Sequence, residues 1–453
     1  MPSTPQDQTP APTIIARADH NVSRKHVSRA ALKVLYRLHE SGYQAFLVGG
    51  AVRDLLLDGR PKDFDVATDA EPDQVHALFR NSRVIGRRFR LVHVRFGREI
   101  IEVATFRAAS NPDEDDSGTQ TDDEGRLVRD NQFGSIDEDV WRRDFTANAL
   151  YYNIADFSVW DYVGGARDIG SRRLRLIGEP ARRLREDPVR VLRALRFVAK
   201  LGFTLEPELE KAIASHKSLL DNVPAARLFD EFLKMFQAGF GLVAYDVLRD
   251  HGVFGVLFPQ ARMGLDAPDG EFFDRFIRRA LKNTDERIAA DKPVTPMFLL
   301  AVFLWWPIKA RARALYEDDG LTPAQSLGQA TYQCVAQQQS VISVPKRFTI
   351  PLREMLTLQP RFERMRGTRA AGFLAHKRFR AAYDFMLLRN FIGEVPDETA
   401  AFWTEVQTLS VEARAERFEI TSKKLGDGTG QKRRRRRRRR TRKPDVPGDE
   451  ASS

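Results

Sequence analysis

Apolar positions along the first part of the chain alternate between helical and strand-like spacing. Leu32, Leu35 and Leu38 recur every three residues, which predicts an amphipathic helix. Short apolar runs bounded by polar residues or glycine predict strands. The predicted helices are Ser28–Ser41, a segment through Leu55–Leu57, Pro72–Phe79 and Ile136–Leu150. The predicted strands are Ala45–Val48, Phe64–Ala67, two or three within Val84–Phe106 with a turn near Gly97, and a hairpin at Tyr151–Tyr162.

The remainder of the chain has a different pattern. From Glu186 to about Leu425 helical periodicity dominates, with few strand signals. The acidic stretch Asn111–Gly125 has almost no apolar residues, which predicts a flexible surface loop. The patterns predict an α+β protein, with an α/β head that contains a mixed sheet and ends near Ile177, followed by a helical remainder.

Basic charge is concentrated in one short segment. Residues 432–443 read KRRRRRRRRTRK and hold 11 basic residues and no acidic one. The chain has 73 Lys and Arg residues, so the 62 outside this segment equal its 62 Asp and Glu residues. Because its charges repel and it has nothing apolar to bury, we expect a disordered tail that binds a polyanion. The alternative is a solvated tail that only aids solubility.

Composition excludes several classes of protein. No window approaches the roughly 20 apolar residues of a membrane span, and the polar N-terminal segment lacks the apolar centre of a secretory signal. Cys334 is the only cysteine, so the chain forms no internal disulfide, and no Cys/His cluster has zinc spacing. We expect a cytoplasmic protein with no membrane partner.

Two carboxylates flank an apolar residue in the segment KDFDV. If this segment is a strand, Asp63 and Asp65 point to one face while Phe64 points into the core. Two crowded carboxylates repel each other, and a divalent cation relieves that repulsion. Mg²⁺ uses one or two carboxylates together with substrate phosphates, and a pair of such ions assists attack on phosphorus. The alternative is a chance pair on a surface strand.

Paired glycines precede this segment at a predicted strand-to-helix turn. Gly49 and Gly50 allow a phosphate to approach the backbone, the following helix offers free N–H groups, and Arg53 follows. The alternative is a tight turn without a ligand. Further along, Glu102 is an acid in an apolar run, where a charge must be paired, metal-bound or at a strand end.

Two later segments carry arginines and acids next to apolar stripes. Arg143 and Asp144 lie before the run FTANAL, and the forked guanidinium of Arg143 suits triphosphate or ribose oxygens. In REDPVRVLRALRF, we expect Asp187 to cap a helix that begins at Pro188. Arg190 and Arg193 are expected on one face, opposite Leu192, Leu195 and Val198. The alternatives are an exposed helix start and a capped helix with a basic outer face.

Five segments occur together in one order: LVGGAVRDLLL, KDFDVATDA, IEVATFR, RRDFTANAL and REDPVRVLRALRF. This ordered set resembles the class II tRNA nucleotidyltransferase and poly(A) polymerase family, and the resemblance covers roughly residues 45–240. ARLFDEFLKMF follows at Ala226–Phe236. IGRRFRLVHV, RDNQFGSIDEDVWRRDF, KRFRAAYDFMLLRN and the arginine-rich tail resemble the bacterial poly(A) polymerases within that family.

The resemblance implies a role for each matched residue. Asp63 and Asp65 match a metal-binding catalytic pair, and either Glu102 or Asp144 completes the catalytic acids. The implied nucleotide-binding residues are Gly49, Gly50, Arg53, Arg143, Asp187, Arg190, Arg193 and Arg196. Within that set, Asp187 and Arg190 match the pair that reads the edge of the base. Ala147 departs from a common isoleucine, and both are apolar.

The resemblance also implies a domain order. Residues 1–27 are expected to be a disordered segment, 28–177 the nucleotidyltransferase head and 178–240 a helical neck that recognises the base. Residues 241–425 are expected to form an RNA-binding helical body and leg, and 426–453 a disordered tail. The tail residues expected to contact RNA are Arg433, Arg434, Arg435, Arg436, Arg437, Arg438, Arg439 and Arg440.

The implied reaction is template-independent addition of AMP from ATP to RNA 3′ ends, which promotes RNA turnover. The 3′-OH attacks the α-phosphorus and pyrophosphate leaves, with two Mg²⁺ ions as cofactors. A carboxylate and an arginine can pair with adenine or with cytosine, so Asp187 and Arg190 leave a CCA-adding tRNA nucleotidyltransferase as an alternative. A non-catalytic RNA-binding protein is a second alternative. The expected partners are RNA 3′ ends and the RNA-degradation machinery, and a monomer is expected.

Overall fold

The computed structural model describes residues 11–86, 90–108, 119–121, 127–130 and 132–419. An eight-stranded sheet forms the head, in the order β1-β10-β9-β2-β3-β6-β5-β4. Strands β3 and β6 are parallel and the other neighbours are antiparallel, so the predicted mixed sheet is confirmed. The described strands are β1 (Thr13–Ile15), β2 (Ala45–Val48), β3 (Asp65–Thr68), β4 (Ser82–Ile85), β5 (Leu91–Phe96), β6 (Glu99–Thr105), β7 (Thr119–Thr121), β8 (Leu127–Asp130), β9 (Leu150–Asn153), β10 (Val159–Asp161), β11 (Arg173–Leu174) and β12 (Thr204–Leu205).

Helices cover the sheet and make up nearly all of the described chain after it, which confirms the predicted fold class. The described α-helices are α1 (Arg29–Glu40), α2 (Gly50–Leu56), α3 (Pro72–Leu78), α4 (Ile136–Arg142), α5 (Gly165–Gly170), α6 (Pro180–Glu186), α7 (Val189–Leu201), α8 (Pro207–His216), α9 (Ala225–Phe236), α10 (Gly241–Asp250), α11 (Phe254–Leu257), α12 (Pro259–Leu265), α13 (Gly270–Ala289), α14 (Pro296–Asp318), α15 (Pro323–Val341), α16 (Lys346–Thr357), α17 (Gly367–Phe373), α18 (Phe379–Phe391), α19 (Asp397–Glu405) and α20 (Val411–Arg417). None of these helices is long and apolar enough to cross a membrane.

The two faces of the sheet are buried by different sets of side chains. On one face, α1 buries Val34, Leu35 and Leu38 in a continuous core that extends into the helical part of the chain. On the other face, a separate cluster forms around Phe46 and Tyr151. A sheet covered on both faces is a rigid platform, and the loops at its edge are therefore held in place.

Aromatic rings join the first helices of the helical part. Phe303 of α14 contacts Phe232 and Phe236 of α9, Phe254 of α11 and Phe258, at centroid distances from 4.8 to 6.3 Å. Most of these pairs are edge-to-face, the arrangement that the ring quadrupole favours. The helices that follow the head are therefore packed around one aromatic centre.

Two predictions about flexible segments are wrong within the described residues. Residues 1–27 were expected to be disordered, but Thr13–Ile15 adds strand β1 to the edge of the sheet beside β10. Val22 and Val27 are buried, so this short segment is anchored by a few apolar groups. Thr119–Thr121 falls in the predicted loop but pairs with β8. The rest of that loop and the arginine-rich tail lie outside the described residues.

Two predicted elements have different bounds. The helix predicted at Ile136–Leu150 ends at Arg142, because Phe145 is fully buried in an extended bridge to Leu176. The strand predicted from Phe64 begins at Asp65, which leaves Asp63 just outside it. The predicted hairpin at Tyr151–Tyr162 is confirmed by the antiparallel pair β9–β10.

Candidate active site

The turn from β2 into α2 brings the backbone close to two charged side chains. Gly49 has a φ of +69°, a left-handed value that a side chain would strain. A Cβ at Gly49 would lie 3.9 Å from Arg143 Nη1 and 4.0 Å from Asp65 Oδ2. Gly50 follows as the first residue of the helix. The turn is therefore flanked by a guanidinium on one side and a carboxylate on the other.

Three acids gather at the start of β3. Asp65 is in direct register with Glu102 on the neighbouring parallel strand β6. Asp63 and Asp65 are exposed while Phe64 between them is buried, which is the alternation expected from the sequence even though Asp63 precedes the strand. His93 on β5 lies across from Glu102, with 3.3 Å between Nε2 and Oε1. The fold therefore brings Glu102 to the pair of aspartates.

The carboxylate of Asp65 is in an unfavourable environment for an isolated charge. Although the residue as a whole is exposed, desolvation of its carboxylate in the cleft raises its pKa to about 6, and Glu102 and Asp63 add to the rise while Arg143 opposes it. Among the described residues no group of three or more His, Cys, Asp or Glu side chains is placed to hold a metal ion by itself. The arrangement fits an ion held by one or two carboxylates and completed by substrate phosphate oxygens, which is the coordination that Mg²⁺ prefers.

Arg143 is fixed between the acids and the glycine turn. Its Nε donates to the Tyr151 hydroxyl at 2.6 Å, and its Nη2 donates to Asp139 Oδ2 at 2.9 Å. Tyr151 also donates to Asp139, at 2.7 Å. These contacts leave Nη1 on the side of Gly49, so the guanidinium is held ready to bind an anion in the cleft.

Asp144 is engaged with protein groups. It accepts hydrogen bonds from the Phe145 backbone N–H at 2.8 Å and from Asn148 Nδ2 at 3.0 Å, and it forms an ion pair with Arg193. Burial opposes ionisation of this carboxyl, but Arg193 and the two hydrogen bonds outweigh burial and lower its pKa. Asp144 is therefore held through Oδ1 by two hydrogen bonds and faces Arg193 through Oδ2, for which the ion pair is the only partner among the described residues.

Asp187 lies between α6 and α7 with extended backbone angles, Pro188 after it is already helical, and the Asp187 carbonyl accepts from the Arg190 N–H at 3.0 Å, so the predicted helix start is confirmed, but the Asp187 side chain does not cap the helix. Both carboxylate oxygens of Asp187 accept from Arg227 of α9, each at 3.0 Å. Arg190 and Arg193 were expected on one face of the helix, and both line the same cleft; Arg190 is buried there and donates to the Arg183 carbonyl at 2.6 Å. Helix α7 packs against α9 and α10, and of its four basic residues only Lys200 is exposed, so the helix has no basic outer face.

One cleft of about 340 Å³ joins most of these groups. Its lining contains the glycine turn, one of the three acids, the ion pair of Asp144 with Arg193 and the start of α7. The predicted residues that line it are Gly49, Gly50, Asp65, Arg143, Asp144, Asp187, Arg190 and Arg193. The head and the first helices after it therefore share one site.

Four predicted residues lie outside that lining. Arg53 and Arg196 line an adjoining pocket of about 200 Å³, in which Arg53 donates to Asn148 at 2.7 Å and Arg196 pairs with Glu231 at 3.3 Å. Asp63 and Glu102 lie beside Asp65, where β3 begins, and they are absent from the lining of both pockets. Arg433–Arg440 lie outside the described residues.

Sequence reasoning missed several groups that shape the cleft. Asn148 was not predicted as a site residue, although it stands in the recognised segment RRDFTANAL. It donates to Asp144 and accepts from Arg53, so it links these two residues. Arg227 stands in the recognised segment after α8, but only the fold reveals its contact with Asp187. Arg142 also lines the cleft, and burial together with Arg107 and Arg183 lowers its pKa to about 10. This concentration of guanidinium groups favours a polyanionic ligand.

Three family models match successive parts of the chain. Residues 45–175 match the poly A polymerase head domain. Residues 202–264 match a model described as the probable RNA and SrmB-binding site of polymerase A. Residues 319–442 match the polymerase A arginine-rich C-terminus.

Two poly(A) polymerases match this chain over most of their length, and a CCA-adding enzyme matches it over half. Poly(A) polymerase I of Salmonella typhi is 47% identical over 404 residues, covering 88% of this chain and 86% of that protein. Poly(A) polymerase I of Haemophilus influenzae is 41% identical over 403 residues, covering 88% and 89%. The CCA-adding enzyme of Bacillus subtilis is 44% identical over 207 residues, which cover only 46% of this chain and 50% of that protein.

Solved structures share the fold. A Thermotoga maritima CCA-adding enzyme complexed with tRNA aligns with a TM-score of 0.56 at 18% identity, covering 91% of this chain and 92% of that chain. A CCA-adding enzyme in complex with ATP aligns with a TM-score of 0.58 at 18% identity, covering 90% and 89%. At 18% identity, these similarities show that the chain shares the fold of the CCA-adding enzymes.

Proposed function

The chain belongs to the bacterial poly(A) polymerase family, and we propose that Asp63, Asp65 and Glu102 are the acids of its catalytic site. It is a nucleotidyltransferase that takes ATP as substrate and binds RNA. The CCA-adding enzymes are more distant relatives, since their similarity covers about half of the chain.

Two magnesium ions are the proposed cofactors, with Asp63 and Asp65 as their protein ligands. Asp65 is in register with Glu102, and Asp63 lies just before β3. Together they supply a cluster of oxygen donors where β3 begins. The donors are hard oxygens, they are too few to enclose an ion, and Asp65 lines the cleft, all of which suits ions that also bind triphosphate oxygens. When bound, such ions activate the attacking hydroxyl and neutralise charge on the leaving pyrophosphate.

Glu102, and not Asp144, is the proposed third acid. Glu102 is a direct neighbour of Asp65, and its side chain is 52% exposed, so its oxygens can be recruited by an ion. The oxygens of Asp144 are occupied by Arg193, Asn148 and a backbone N–H. Recruiting Asp144 would break a buried ion pair, which costs about 3–5 kcal/mol.

The nucleotide is proposed to lie along the cleft from the glycine turn to the start of α7. The backbone at Gly49 and Gly50 and Nη1 of Arg143 would bind the triphosphate as preorganised donors. Asp187 and Arg190 would face the base. Because Arg227 fixes both oxygens of Asp187, that carboxylate presents its remaining lone pairs in one orientation.

The reaction uses each part of this arrangement. The 3′-OH of the RNA attacks the α-phosphorus of ATP in line with the departing pyrophosphate, and AMP remains on the RNA. The side chains of this chain orient the triphosphate and stabilise developing charge, and the three acids would hold the ions. The adjoining pocket, with Arg53 and Arg196, supports the wall of the cleft and adds positive potential.

The observation that carries the site proposal is the convergence of Gly49, Asp65 Oδ2 and Arg143 Nη1 within about 4 Å of a single point. The test is incorporation of labelled nucleotide into one unstructured RNA and one tRNA, with ATP alone, CTP alone or both. Long A-tails on the unstructured RNA with ATP alone are expected. Addition that stops after three nucleotides and only on tRNA would overturn the proposed use of this site.

RNA binding by the tail, a role in RNA turnover and a monomeric state are further proposals. The arginine-rich segment is proposed to hold RNA by its phosphates, because 11 cations within 12 residues release many counterions on binding. Participation in RNA turnover with degradation enzymes, and a monomeric state, are predictions from the resemblance.

A further inference from the structure

A second large cavity lies in the helical part of the chain, away from the catalytic cleft. It has a volume of about 740 Å³ and is lined by residues of α13, α14 and α18 and the turns beside them. That volume is within the range of roughly 300–1,000 Å³ typical of ligand sites. It shares no lining residue with the catalytic cleft. We call it the body groove.

The lining of the body groove is strongly basic. Six basic residues line it, against two acidic ones, Glu286 and Asp384. The six basic residues are Arg279, Arg287, Lys292, Lys377, Arg378 and Arg380. An excess of positive charge in a concave surface concentrates anionic ligands.

Only half of these cations are neutralised by carboxylates. Glu354 pairs with Lys377 and Arg378, at 2.8 Å each, and Asp384 pairs with Arg380 at 3.0 Å. In the part of the chain that the structure describes, the other three cations, Arg279, Arg287 and Lys292, form no ion pair. Arg287 also donates to the Pro293 carbonyl at 3.1 Å, a neutral partner that leaves its charge uncompensated, so the charge of all three is available to an external anion.

An aromatic platform adjoins these cations. Phe391 lines the groove and is 43% exposed, and the guanidinium carbons of Arg279 and Arg275 lie 5.0 and 5.6 Å from its ring centroid. Phe272 is 54% exposed and shares Arg275 at 6.0 Å. On α13, Phe272, Arg275 and Arg279 are spaced along one face of the helix. Exposed rings between guanidinium groups are surfaces on which nucleic-acid bases stack.

We propose that the body groove binds a single-stranded segment of the RNA substrate, upstream of the 3′ end that enters the catalytic cleft. The phosphates contact Arg279, Arg287 and Lys292, and a base stacks on Phe391. This inference rests on the proposed function. An acidic protein surface would match the charge, but it would leave the exposed rings without a partner, so single-stranded RNA is the ligand that uses both features.

The first test removes the unpaired charge from the full-length protein. The variant carries Arg279→Gln, Arg287→Gln and Lys292→Gln. A matched control carries Arg37→Gln, Arg173→Gln and Arg313→Gln, which removes the same charge from exposed positions outside the groove and outside residues 202–264 and 319–442. Fluorescence anisotropy measures the Kd of a 5′-labelled oligo(A) of about 20 nucleotides and one of about four, across a series of KCl concentrations.

The groove variant is expected to bind the long RNA at least ten-fold more weakly than the control. Each phosphate contact contributes about 0.7 to the salt slope of a single strand, so losing three contacts reduces the slope by about 2. The Kd of the short RNA should be the same in variant and control. Equal Kd and equal salt slope for the long RNA in variant and control would overturn the proposal.

The second test separates stacking from charge. Phe391→Ala should weaken binding of the long RNA about ten-fold without flattening the salt dependence, and Phe391→Tyr should restore it. In the wild-type chain, long RNA with 4-thiouridine near its 5′ end should cross-link to peptides of α13 or α18. Cross-links elsewhere, or equal Kd for Phe391→Ala and the wild type, would contradict the proposal.

Activity distinguishes this failure from failure of the proposed function. If the wild type adds AMP and the groove variant has the same KM for long RNA as the control, the groove proposal alone is wrong. If the wild type adds no AMP to either RNA with Mg²⁺ present, the proposed function is wrong. An acidic protein as the true ligand would leave RNA binding unchanged in the groove variant, which counts against the proposal.

Discussion

The two candidates for the third catalytic acid can be separated by comparing Glu102→Gln with Asp144→Asn. The side chain of Glu102 is 52% exposed, and His93 is its only hydrogen-bond or ion-pair partner among the described residues, so its loss should change the free energy of unfolding by no more than about 0.5 kcal/mol. Asp144 is 12% exposed and is paired with Arg193. Its neutralisation should cost about 3 kcal/mol, the lower end of the range for a buried pair, because Arg193 is 38% exposed.

The kinetic effects should run in the opposite order. Glu102→Gln should lower kcat by at least about 100-fold with little change in the KM for ATP, because an ion-binding oxygen is lost from the reacting centre. Asp144→Asn should raise the KM for ATP several-fold as Arg193 loses its anchor, with kcat within about ten-fold of the wild type. Urea unfolding and steady-state AMP incorporation on one RNA supply both measurements.

The reverse pattern would refute this reasoning. If Asp144→Asn abolishes turnover without a loss of stability while Glu102→Gln stays active, Asp144 is an ion ligand and its pairing with Arg193 is not maintained in the working enzyme. His93→Ala is a useful control, since it removes the neighbour of Glu102 without removing an acid. It should retain most of the activity.

Three further perturbations test other parts of the site. Asp63→Ala with Asp65→Ala should abolish AMP incorporation and leave the Kd for RNA within about three-fold of the wild type by anisotropy; persistent incorporation would show that the site is elsewhere. Deletion of residues 431–453 should weaken RNA binding and flatten its salt dependence, and an unchanged slope would rule out the tail as an RNA contact. Arg227→Met should free Asp187 and reduce the ratio of kcat/KM for ATP over CTP at least several-fold; an unchanged ratio would show that orientation of Asp187 does not set base choice.

Much of the head could be predicted from the sequence because its signals are local. The apolar run Ala45–Val48 and the hairpin after Tyr151 have periods that specify strands, and the paired glycines specify a turn. The alternation around Phe64 likewise placed Asp63 and Asp65 on one side of the chain. These features depend on neighbouring residues, so no knowledge of the fold was needed.

The errors share a different cause. The helix predicted through Phe145 stops at Arg142 because Phe145 is used in a distant bridge to Leu176, and helical periodicity carries no information about such a bridge. A basic outer face stayed open as an alternative for the helix of Arg190 because the helix was read alone, whereas in the fold Arg190 is buried and lines the cleft. Tertiary contacts decide both cases.

The partners of the site residues were also beyond the sequence. Arg227 is 40 residues from Asp187, and nothing in either segment specifies their bidentate contact. The choice between Glu102 and Asp144 could not be made because both are acids in recognised segments. Their surroundings differ only in the folded chain, where one is exposed beside Asp65 and the other is buried against Arg193.

The central claim is that Asp63 and Asp65 jointly hold divalent ions against the triphosphate of ATP. Electron paramagnetic resonance can count Mn²⁺ ions bound to the full-length chain in the presence of a non-hydrolysable ATP analogue and RNA. Two protein-dependent ions per chain are expected for the wild type, and a loss of both is expected for Asp63→Asn with Asp65→Asn. Equal Mn²⁺ binding by the two proteins would contradict the account.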